Sequence, residues 1–443
     1  MAGLVLLVTV AWSVSADEGR FRNCILVTFD TLRADHLSCY GYPRPITPAL
    51  DRFAKNALTF SDTLSQIPLT GPGHATIMTA HFAHQHGAVR NGIRILPDEH
   101  TMAELFKAQG YVTAAFLSGW TLKSHLCGLN KGFDLYDDTM TDRYRVVNSQ
   151  RFADQVTDEA LRWLAKDRKE PFFMWLHYFD PHWPYAEHPH FRPSAEPRDY
   201  EKDGRYKSRI TEYNIEIAFT DRQFDRVMHA LHRTGLDKTT CVVVTADHGE
   251  SFGEHNYLGH GRRVYNPGLH IPFMISYPGM KRAGEITSYP AQQVDFLPTV
   301  TMLAGMPDGG IKPMGESLVP VLNGDPATGR EKVVFFETYS GAAKLVPKSL
   351  KKKAMSHQLH AGFRVGAHKH IMQIATGWLQ SYDLDNDPGE LSPIDTAAPA
   401  RDQIKTTIIR MMEDGAVALE ADSERDGIND EDREILQTLG YIE

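Results

Sequence analysis

Acidic and histidine side chains follow apolar runs at several points of the sequence, most distinctly in "VVVTADHGESFGEHN" (242–256). A run of β-branched residues predicts a buried strand, and Asp247 and His248 come where that strand would end. Asp30 follows the run "CILVTFD" (24–30) in the same way. Because carboxylates and imidazoles bind divalent cations, these three side chains are candidate metal ligands. The alternative for Asp30 is a helix N-cap.

A threonine precedes a Gly-Pro-Gly sequence in "IPLTGPGHATIMTAHFAHQHG" (67–87). We predict a turn there and a helix from His74. The first backbone amides of a helix favour an anion, so Thr70 would place a hydroxyl beside an anion site, and His74 could donate to the same anion. The alternatives are an ordinary turn residue for Thr70 and a surface position for His74.

Two further histidines lie in segments that proline or glycine restricts. His182 follows a predicted buried strand in "FFMWLHYFDPHWPYAEHP" (172–189), with a proline on either side that limits its direction. An imidazole there could bind an anion or protonate a leaving oxygen; the alternative is a surface loop residue. His260 lies between glycines in "YLGHGRR" (257–263).

Short apolar runs alternate with amphipathic stretches along most of the chain. Six runs predict strands buried on both faces, as in a parallel sheet: 24–30, 111–117, 172–179, 241–247, 271–277 and 333–338. Three helices have recognisable ends: one begins at Thr47 and Pro48, one begins with a Thr101/Glu104 capping box and stops at Gly110, and one runs from Thr211 to Thr234. This alternation predicts an α/β fold, a doubly wound and mostly parallel sheet with helices on both faces. Such sheets bind ligands at the carboxyl ends of their strands, where the acids fall.

The sequence changes character after about residue 325. Residues 362–390 alternate as antiparallel strands do and end in the turn "DNDPGE". The basic segment "KLVPKSLKKKAM" (344–355) predicts a solvated loop or, alternatively, a rim that attracts an anionic substrate. We therefore predict a catalytic domain over 17–325 and a small C-terminal antiparallel α+β subdomain over 326–443.

Composition limits the class of protein further. The chain has 443 residues, of which 42% are hydrophobic and 23% charged, as expected for a soluble globular protein. Its net charge of -9 argues against a protein that binds nucleic acid by neutralising phosphates.

The apolar stretch 4–16 is too short to span a membrane, so we predict a signal peptide over 1–16 and export to the periplasm or the extracellular space. No later segment predicts a transmembrane helix. The four cysteines lack metal-binding spacing, and Cys24 and Cys241 are expected to be small buried residues.

Together these motifs resemble the sulfatase family of the alkaline phosphatase superfamily, nearly from end to end. The shared segments are "ILVTFDTLRADHLSCYGY", "TGPGHATIMTAHFAHQHG", "GFDLYDD", "HYFDPHWPY", "TADHGESFGEH", "HIPFMISYPG", "YDLDNDPGE" and "LQTLGYIE". The resemblance implies one divalent metal, commonly calcium, with manganese, magnesium or zinc as alternatives. Its ligands would be Asp30, Asp247 and His248, together with Thr70. Many sulfatases carry two adjacent acids early in the chain, whereas here the second position is Thr31.

The larger departure from the family concerns the nucleophile. Sulfatases oxidise a Cys or Ser in a Cys/Ser-x-Pro-x-Arg pattern to formylglycine, and here the matching residues are Thr70-Gly71-Pro72-Gly73-His74. Threonine cannot form that aldehyde, so a Thr70 ester must be cleaved by water or an acceptor that attacks sulfur or phosphorus. In this respect the chain resembles phosphodiesterases and lipid-headgroup phosphotransferases of the same superfamily.

The expected mechanism uses the metal to lower the pKa of the Thr70 hydroxyl for attack on the ester. Three histidines are expected to surround the developing charge: His74, His182 and His260. His182 or His260 would protonate the departing oxygen, and His260 stands about where the family has an anion-binding lysine. Glu250 and His255 are expected only to support these residues.

The favoured function is a metal-dependent hydrolase of sulfate or phosphate esters, acting on a small molecule or a glycan. A phosphodiesterase or phosphoryl-group transferase with a covalent Thr70 intermediate is the first alternative; the missing membrane domain argues against a lipid transferase. The second is a non-catalytic binder of sulfated or phosphorylated glycans, which would need no hydroxyl beside a metal. No nucleic-acid partner is expected.

Overall fold

A computed structural model describes most of the chain, in seven segments: 21–144, 147–166, 170–194, 206–307, 309–325, 331–339 and 358–416. Three features of the sequence lie outside the described residues: the predicted signal peptide, the basic segment 344–355, and the motif at 436–443. No helix within the described segments has the length and apolar character needed to cross a membrane.

An eight-stranded sheet forms the centre of the protein. In spatial order its strands are β13 (Ile286–Thr287), β2 (Leu58–Phe60), β12 (Phe273–Ser276), β9 (Thr240–Ala246), β1 (Asn23–Phe29), β8 (Phe172–Tyr178), β4 (Val112–Phe116) and β5 (Leu135–Asp137). The mostly parallel α/β fold predicted from the sequence is confirmed. The run 271–277 differs, because β12 is antiparallel to both of its neighbours, β2 and β9.

Helices cover both faces of this sheet. Alternate residues of β1 belong to two separate apolar cores, with Ile25 and Val27 in one and Cys24 and Leu26 in the other. The first core is closed by α1 (Pro48–Ala54), α6 (Ala153–Leu164) and α7 (Lys207–Thr234), and the second by α2 (Thr70–Thr79), α4 (Met102–Ala108) and α9 (Phe296–Leu303). The remaining α-helices are α3 (Ala83–His86), α5 (Ser124–Cys127), α8 (Asn266–Leu269), α10 (Val319–Asn323) and α11 (Ala398–Glu413). Short 3-10 turns lie at 34–36, 38–40, 120–122, 189–194, 236–238, 254–256 and 293–295. All four cysteines are free.

The predicted helix ends were right in some places and wrong in others. The capping box is present, since Glu104 N donates to Thr101 Oγ1 at 3.2 Å and Thr101 N donates to Glu104 Oε2 at 2.9 Å. Thr47 does not cap α1; instead, the carboxylate of Asp221 accepts two amides of its first turn. The long helix α7 begins at Lys207, four residues before its predicted start.

A second, antiparallel sheet lies in the C-terminal part of the chain. Its strands in order are β15 (Val333–Tyr339), β16 (Gln358–Val365), β17 (His368–Gln373) and β18 (Trp378–Asp383). The run 333–338 was predicted as a strand of the parallel sheet, which is wrong because β15 pairs antiparallel with β16. Three two-stranded ladders complete the fold: β3 (Thr63–Leu64) with β14 (Ala291–Gln292), β6 (Asp142–Tyr144) with β7 (Val147–Gln150), and β10 (Ser251–Phe252) with β11 (Leu258–Gly259).

Buried polar contacts join the C-terminal sheet to the main body of the protein. Lys369 Nζ lies 2.5 Å from Glu390 Oε1 and 2.8 Å from Asn266 Oδ1, and both charged side chains are completely buried. Glu337 N donates to Gln66 O at 2.8 Å. These contacts tie the second sheet to α8 and to the segment that leads into α2.

The contact between His84 and Glu337 makes part of this attachment sensitive to pH. His84 Nδ1 lies 2.9 Å from Glu337 Oε1. Burial opposes a charge on His84, but the Glu337 carboxylate raises its pKa above the ordinary value. A raised histidine pKa stabilises the folded state below the unfolded pKa of about 6.5, and that stabilisation is lost as pH rises through the folded pKa.

We therefore expect His84→Gln to cost about 1–3 kcal/mol in mildly acidic buffer and clearly less in alkaline buffer. Urea unfolding of both proteins across this pH range measures the difference. His232→Gln is the control, because its ion pair with Asp237 is largely exposed and should contribute little at any pH. An equal loss at both ends of the range in His84→Gln would contradict the charged contact.

Candidate active site

The ends of two neighbouring strands bring three predicted metal ligands together. Asp30 follows β1, and Asp247 and His248 follow β9, which pairs with β1 in parallel. All three are fully buried, and each offers a ligand atom within 4.8 Å of the other two. The sequence therefore located a real cluster of side chains, although its parts lie more than 200 residues apart.

Acceptor atoms of three side chains meet at the centre of this cluster. His248 Nδ1 donates to Gly249 O at 2.9 Å, so in the neutral ring Nε2 carries a lone pair. That nitrogen lies 3.5 Å from Asp247 Oδ2 and 3.9 Å from Asp30 Oδ1. Within the described part of the chain, neither oxygen of Asp30 and not Oδ2 of Asp247 has a hydrogen-bond partner.

The electrostatics of the cluster fit a bound divalent cation. Burial raises the pKa of Asp30 well above its ordinary value, and the nearby Asp247 raises it further. Burial raises the pKa of Asp247 to about 7 and lowers the pKa of His248. Two buried carboxylates without a positive partner are costly, whereas carboxylate oxygens with a neutral imidazole nitrogen are suitable ligands for a divalent metal. The orphaned oxygens are the observation that supports this fit.

The backbone around Asp247 is held by residues that the sequence did not single out. Thr31 has a positive φ of 54°, which is uncommon for a residue other than glycine, and its N–H donates to Asp247 Oδ1 at 3.1 Å. Ser65 Oγ and Gln293 Nε2 donate to the Asp247 carbonyl at 2.7 and 2.6 Å. The position that carries a second acid in many sulfatases therefore contributes an amide to the same carboxylate.

The helix that carries Thr70 begins at Thr70 itself, and not at His74 as predicted. Residues 71–73 at its start offer no free amide to an anion. Gly71 N donates to Asn91 Oδ1 at 2.8 Å, Pro72 has no N–H, and Gly73 N donates to Leu69 O. A Cβ at Gly73 would lie 3.1 Å from the Asp247 carbonyl, so glycine allows this turn to approach the cluster closely.

Thr70 lies in contact with the cluster. Its Oγ1 is 3.4 Å from His248 Nε2. The side chain is fully buried. The predicted nucleophile and the predicted metal ligands therefore share one site.

His74 serves a different purpose from the predicted anion donor. Its Nδ1 donates to Thr70 O at 2.7 Å, and its Nε2 lies 3.0 Å from Thr28 Oγ1. Burial lowers its pKa to about 4. Since both ring nitrogens are engaged, His74 positions the turn of Thr70 and has no nitrogen left for a substrate.

The hydroxyl of Thr28 extends this hydrogen-bond chain to a histidine that the sequence analysis missed. Because His74 Nδ1 carries the proton, its Nε2 accepts from Thr28, and Thr28 Oγ1 then accepts from Trp175 Nε1 at 2.9 Å and from His177 Nδ1 at 3.1 Å. His177 Nε2 is left with a lone pair, 3.6 Å from Asp30 Oδ2, and has no hydrogen-bond partner among the described residues. A histidine inside the apolar run of β8 was the signal that could have revealed it.

Thr28→Val should disturb this chain without changing the shape of the core. We expect kcat or metal affinity to fall about 10- to 100-fold, because His74 and His177 lose the group that fixes their tautomers. Steady-state kinetics and metal titration measure both effects. Thr245→Val is the matched control, since Thr245 faces Thr28 in register on β9 but donates to Pro272 O. Equal effects of the two substitutions would count against a role for the hydrogen-bond chain through Thr28.

The two remaining predicted histidines lie together on one side of the cluster. The rings of His182 and His260 are 5.0 Å apart, and the ring of His260 is 4.4 Å from that of His248. His260 Nδ1 lies 3.2 Å from Glu250 Oε2, so Glu250 supports His260 as expected. His255 is placed elsewhere, with its ring stacked on Tyr265 at 3.6 Å.

A cavity of about 350 Å³ opens beside these histidines. Besides His182, His260 and Glu250, its lining includes aromatic and basic side chains, among them Trp183, Tyr185 and Arg209. Aromatic faces and a guanidinium could hold the organic part of an ester whose reacting group lies at the cluster.

Comparison with known proteins gives a consistent result. A family model described as Sulfatase matches residues 22–306, and one described as N-sulphoglucosamine sulphohydrolase, C-terminal, matches 253–416. An ulvan-active sulfatase of Formosa agariphila is 27% identical over 358 residues, which cover 72% of this chain and 68% of that protein.

Two solved structures share the fold over nearly their whole length. One, determined in complex with its substrate D-glucosamine-2-N,6-O-disulfate, has a TM-score of 0.74 at 22% identity, and the match covers 93% of this chain and 99% of the other. The phosphonate monoester hydrolase of Agrobacterium radiobacter has a TM-score of 0.71 at 21% identity, over 89% and 96% of the two chains.

The fold and these matches define a hydrolase of the alkaline phosphatase superfamily. Within it, the chain belongs to the sulfatase family, a family of sulfuric ester hydrolases that generally depend on a metal.

Proposed function

We propose that this protein hydrolyses sulfate or phosphate esters through a covalent intermediate on Thr70. The observation that carries the proposal is the position of the Thr70 hydroxyl, 3.4 Å from His248 Nε2 in the cluster that also contains the carboxylate of Asp30. A binding protein would have no use for a buried hydroxyl at this point. Hydroxyl nucleophiles act when neighbouring groups take or stabilise their proton.

Asp30, Asp247 and His248 would hold the divalent metal, with Thr70 beside them. When bound, it supplies Lewis acidity to the ester oxygens and lowers the pKa of a nearby hydroxyl. Calcium is the proposed ion, with manganese, magnesium and zinc as alternatives. The imidazole nitrogen in this ligand set favours zinc over calcium and magnesium, because both of those ions prefer ligands that are all oxygen.

The chain's own residues can carry both halves of the reaction. Thr70 Oγ1 attacks sulfur or phosphorus, its proton passes to a neighbouring acceptor, and the bond to the organic oxygen breaks. His260 is the better placed acid for that oxygen, since Glu250 lies beside it, whereas His182 is deeply buried and its pKa is lowered by burial and by His260. Water then attacks the Thr70 ester, and the Thr70 oxygen leaves with a proton.

The chemistry of threonine bears on the choice between sulfur and phosphorus. A formylglycine hydrate expels sulfate by collapsing to its aldehyde, and Thr70 has no such route. Phosphomonoester, phosphodiester or phosphonate hydrolysis, or transfer to an acceptor, therefore stands as the second candidate function, supported by the shared fold of a phosphonate monoester hydrolase. The related ulvan-active sulfatase supports a sulfated glycan as the substrate class.

Parallel assays of the purified protein on aryl sulfate, aryl phosphate and aryl phosphodiester would separate these functions. Intact-protein mass spectrometry of a rapidly quenched reaction should show an adduct on Thr70 whose mass identifies sulfate or phosphate. Absence of turnover and of any adduct with all three substrates would leave the binding function.

Export is a separate proposal from the apolar stretch 4–16, tested by the N-terminal sequence of the mature protein.

A further inference from the structure

A second group of metal-binding side chains lies beyond the cluster of the active site. We propose that Asp180, His188 and Glu216 form a second divalent-cation site, which fastens the segment carrying His182 to helix α7. This site is not needed for the proposed reaction itself, and it can be tested apart from it.

The geometry brings two carboxylates and one imidazole to a single point. Their ligand atoms all lie within 4.8 Å of one another. Asp180 and Glu216 are 5% and 1% exposed. Glu216 Oε2 lies 3.1 Å from His188 Nε2, while Glu216 Oε1 accepts from Ala186 N. The ring of His188 is stacked on Phe219, with centroids 3.9 Å apart and an angle of 11° between the planes, which fixes the direction of Nε2.

One oxygen of this group has no partner. Asp180 Oδ1 accepts from Ala153 N at 3.0 Å, but Oδ2 is buried and makes no hydrogen bond with any residue that the structure describes. A buried carboxylate oxygen without a donor is rare and requires an explanation. It lies in the same small group as a second carboxylate and an imidazole nitrogen, where a cation would satisfy this oxygen and compensate the neighbouring charge as well.

The charges point in the same direction. Burial raises the pKa of Asp180, and the neighbouring Glu216 raises it further. Over the described segments, neither carboxylate has an ion pair with lysine or arginine, and the imidazole of His188 lies beside Glu216. A single shared proton would neutralise one carboxylate, whereas a divalent cation would compensate both and use the imidazole lone pair as well. Two carboxylates and one imidazole suit zinc or manganese.

Such a cation would act on the position of His182. Asp180 and Pro181 directly precede His182, and Glu216 holds the backbone of Ala186 just after it. Both ends of this short segment would then be tied to α7 through one ion. Removal of the ion should loosen His182 and leave Thr70 and its cluster in place.

Metal counting in paired variants tests the proposal. The full chain, freed of metal and titrated with manganese or zinc, should bind two equivalents by calorimetry. In an Asp30→Asn background the remaining equivalent should belong to the second site, and adding Glu216→Gln should abolish it. Glu212→Gln, one turn earlier on α7, removes the same charge and should leave it in place. His188→Gln is a second test if Glu216→Gln does not fold.

Binding of only one equivalent by the wild-type chain, lost in Asp30→Asn, would overturn the proposal. So would two equivalents that persist in Glu216→Gln or His188→Gln. Glu216→Gln could also raise the thermal unfolding midpoint without changing the metal content. That result would show that Asp180 and Glu216 share a proton and do not bind a metal. Because metal content is the measured quantity, these outcomes do not depend on whether Thr70 forms an adduct.

Discussion

Thr70→Ala should abolish turnover, with a fall in kcat/KM on the order of 10³- to 10⁶-fold. The substitution removes the oxygen that would form the covalent ester, which lies 3.4 Å from His248 Nε2. The fall should appear in kcat, with KM little changed, because the cluster and the cavity that bind the substrate remain. No adduct should appear in the mass spectrum of the quenched reaction.

Two controls make this result specific. Thr70→Ser keeps a hydroxyl and should retain measurable turnover and the adduct. Thr79→Ala removes a buried hydroxyl from the other end of the same helix, where it donates to Ala75 O, and should leave activity close to that of the wild type. Normal activity in Thr70→Ala would remove Thr70 from the mechanism and direct the search to a bound water.

Asp30→Asn should weaken metal binding and, at the same time, stabilise the metal-free protein. Metal affinity should fall by at least about 100-fold, since the carboxylate with two unpartnered oxygens is lost. The metal-free protein should nevertheless unfold at a higher temperature than the metal-free wild type, because a buried carboxylate without a positive partner has been neutralised. Thermal unfolding with and without added metal, together with calorimetric titration, measures both.

Asp295 provides the matched comparison. It is also a completely buried carboxylate, but Lys332 Nζ lies 2.6 Å from it. Asp295→Asn should therefore lower the unfolding temperature whether or not metal is present, and should leave metal affinity unchanged. If Asp30→Asn behaved in the same way as Asp295→Asn, the first cluster would be a structural network and the proposed metal site would be wrong.

Local sequence patterns were enough to predict where some of the site residues lie. A buried apolar run that ends in an acid places Asp30 and Asp247 at strand ends, and this reasoning brought both into one site. It did not show that His74 would turn inward to Thr28, because that depends on how α2 packs against β1. His177 was missed because its contact with Thr28 depends on β1 and β8 being neighbours.

The errors in the predicted fold also have physical causes. An apolar run is equally consistent with a parallel or an antiparallel strand when both of its faces are buried, so β12 and β15 were wrongly predicted as parallel strands. The start of α2 was placed too late because Gly-Pro-Gly usually indicates a turn. Here Pro72 lies in the first helical turn, where its missing N–H costs nothing.

The polar attachments of the C-terminal sheet bear on the predicted boundary near residue 325. Residues on both sides of that boundary share hydrogen bonds, from Glu337 N to Gln66 O and from Lys369 Nζ to Asn266 Oδ1. A shortened chain that stopped there would expose apolar surface and leave Gln66 and Asn266 without these hydrogen-bond partners. The two parts should therefore melt together in one calorimetric transition, and the turn that carries Thr70 would owe its rigidity to residues at the far end of the polypeptide.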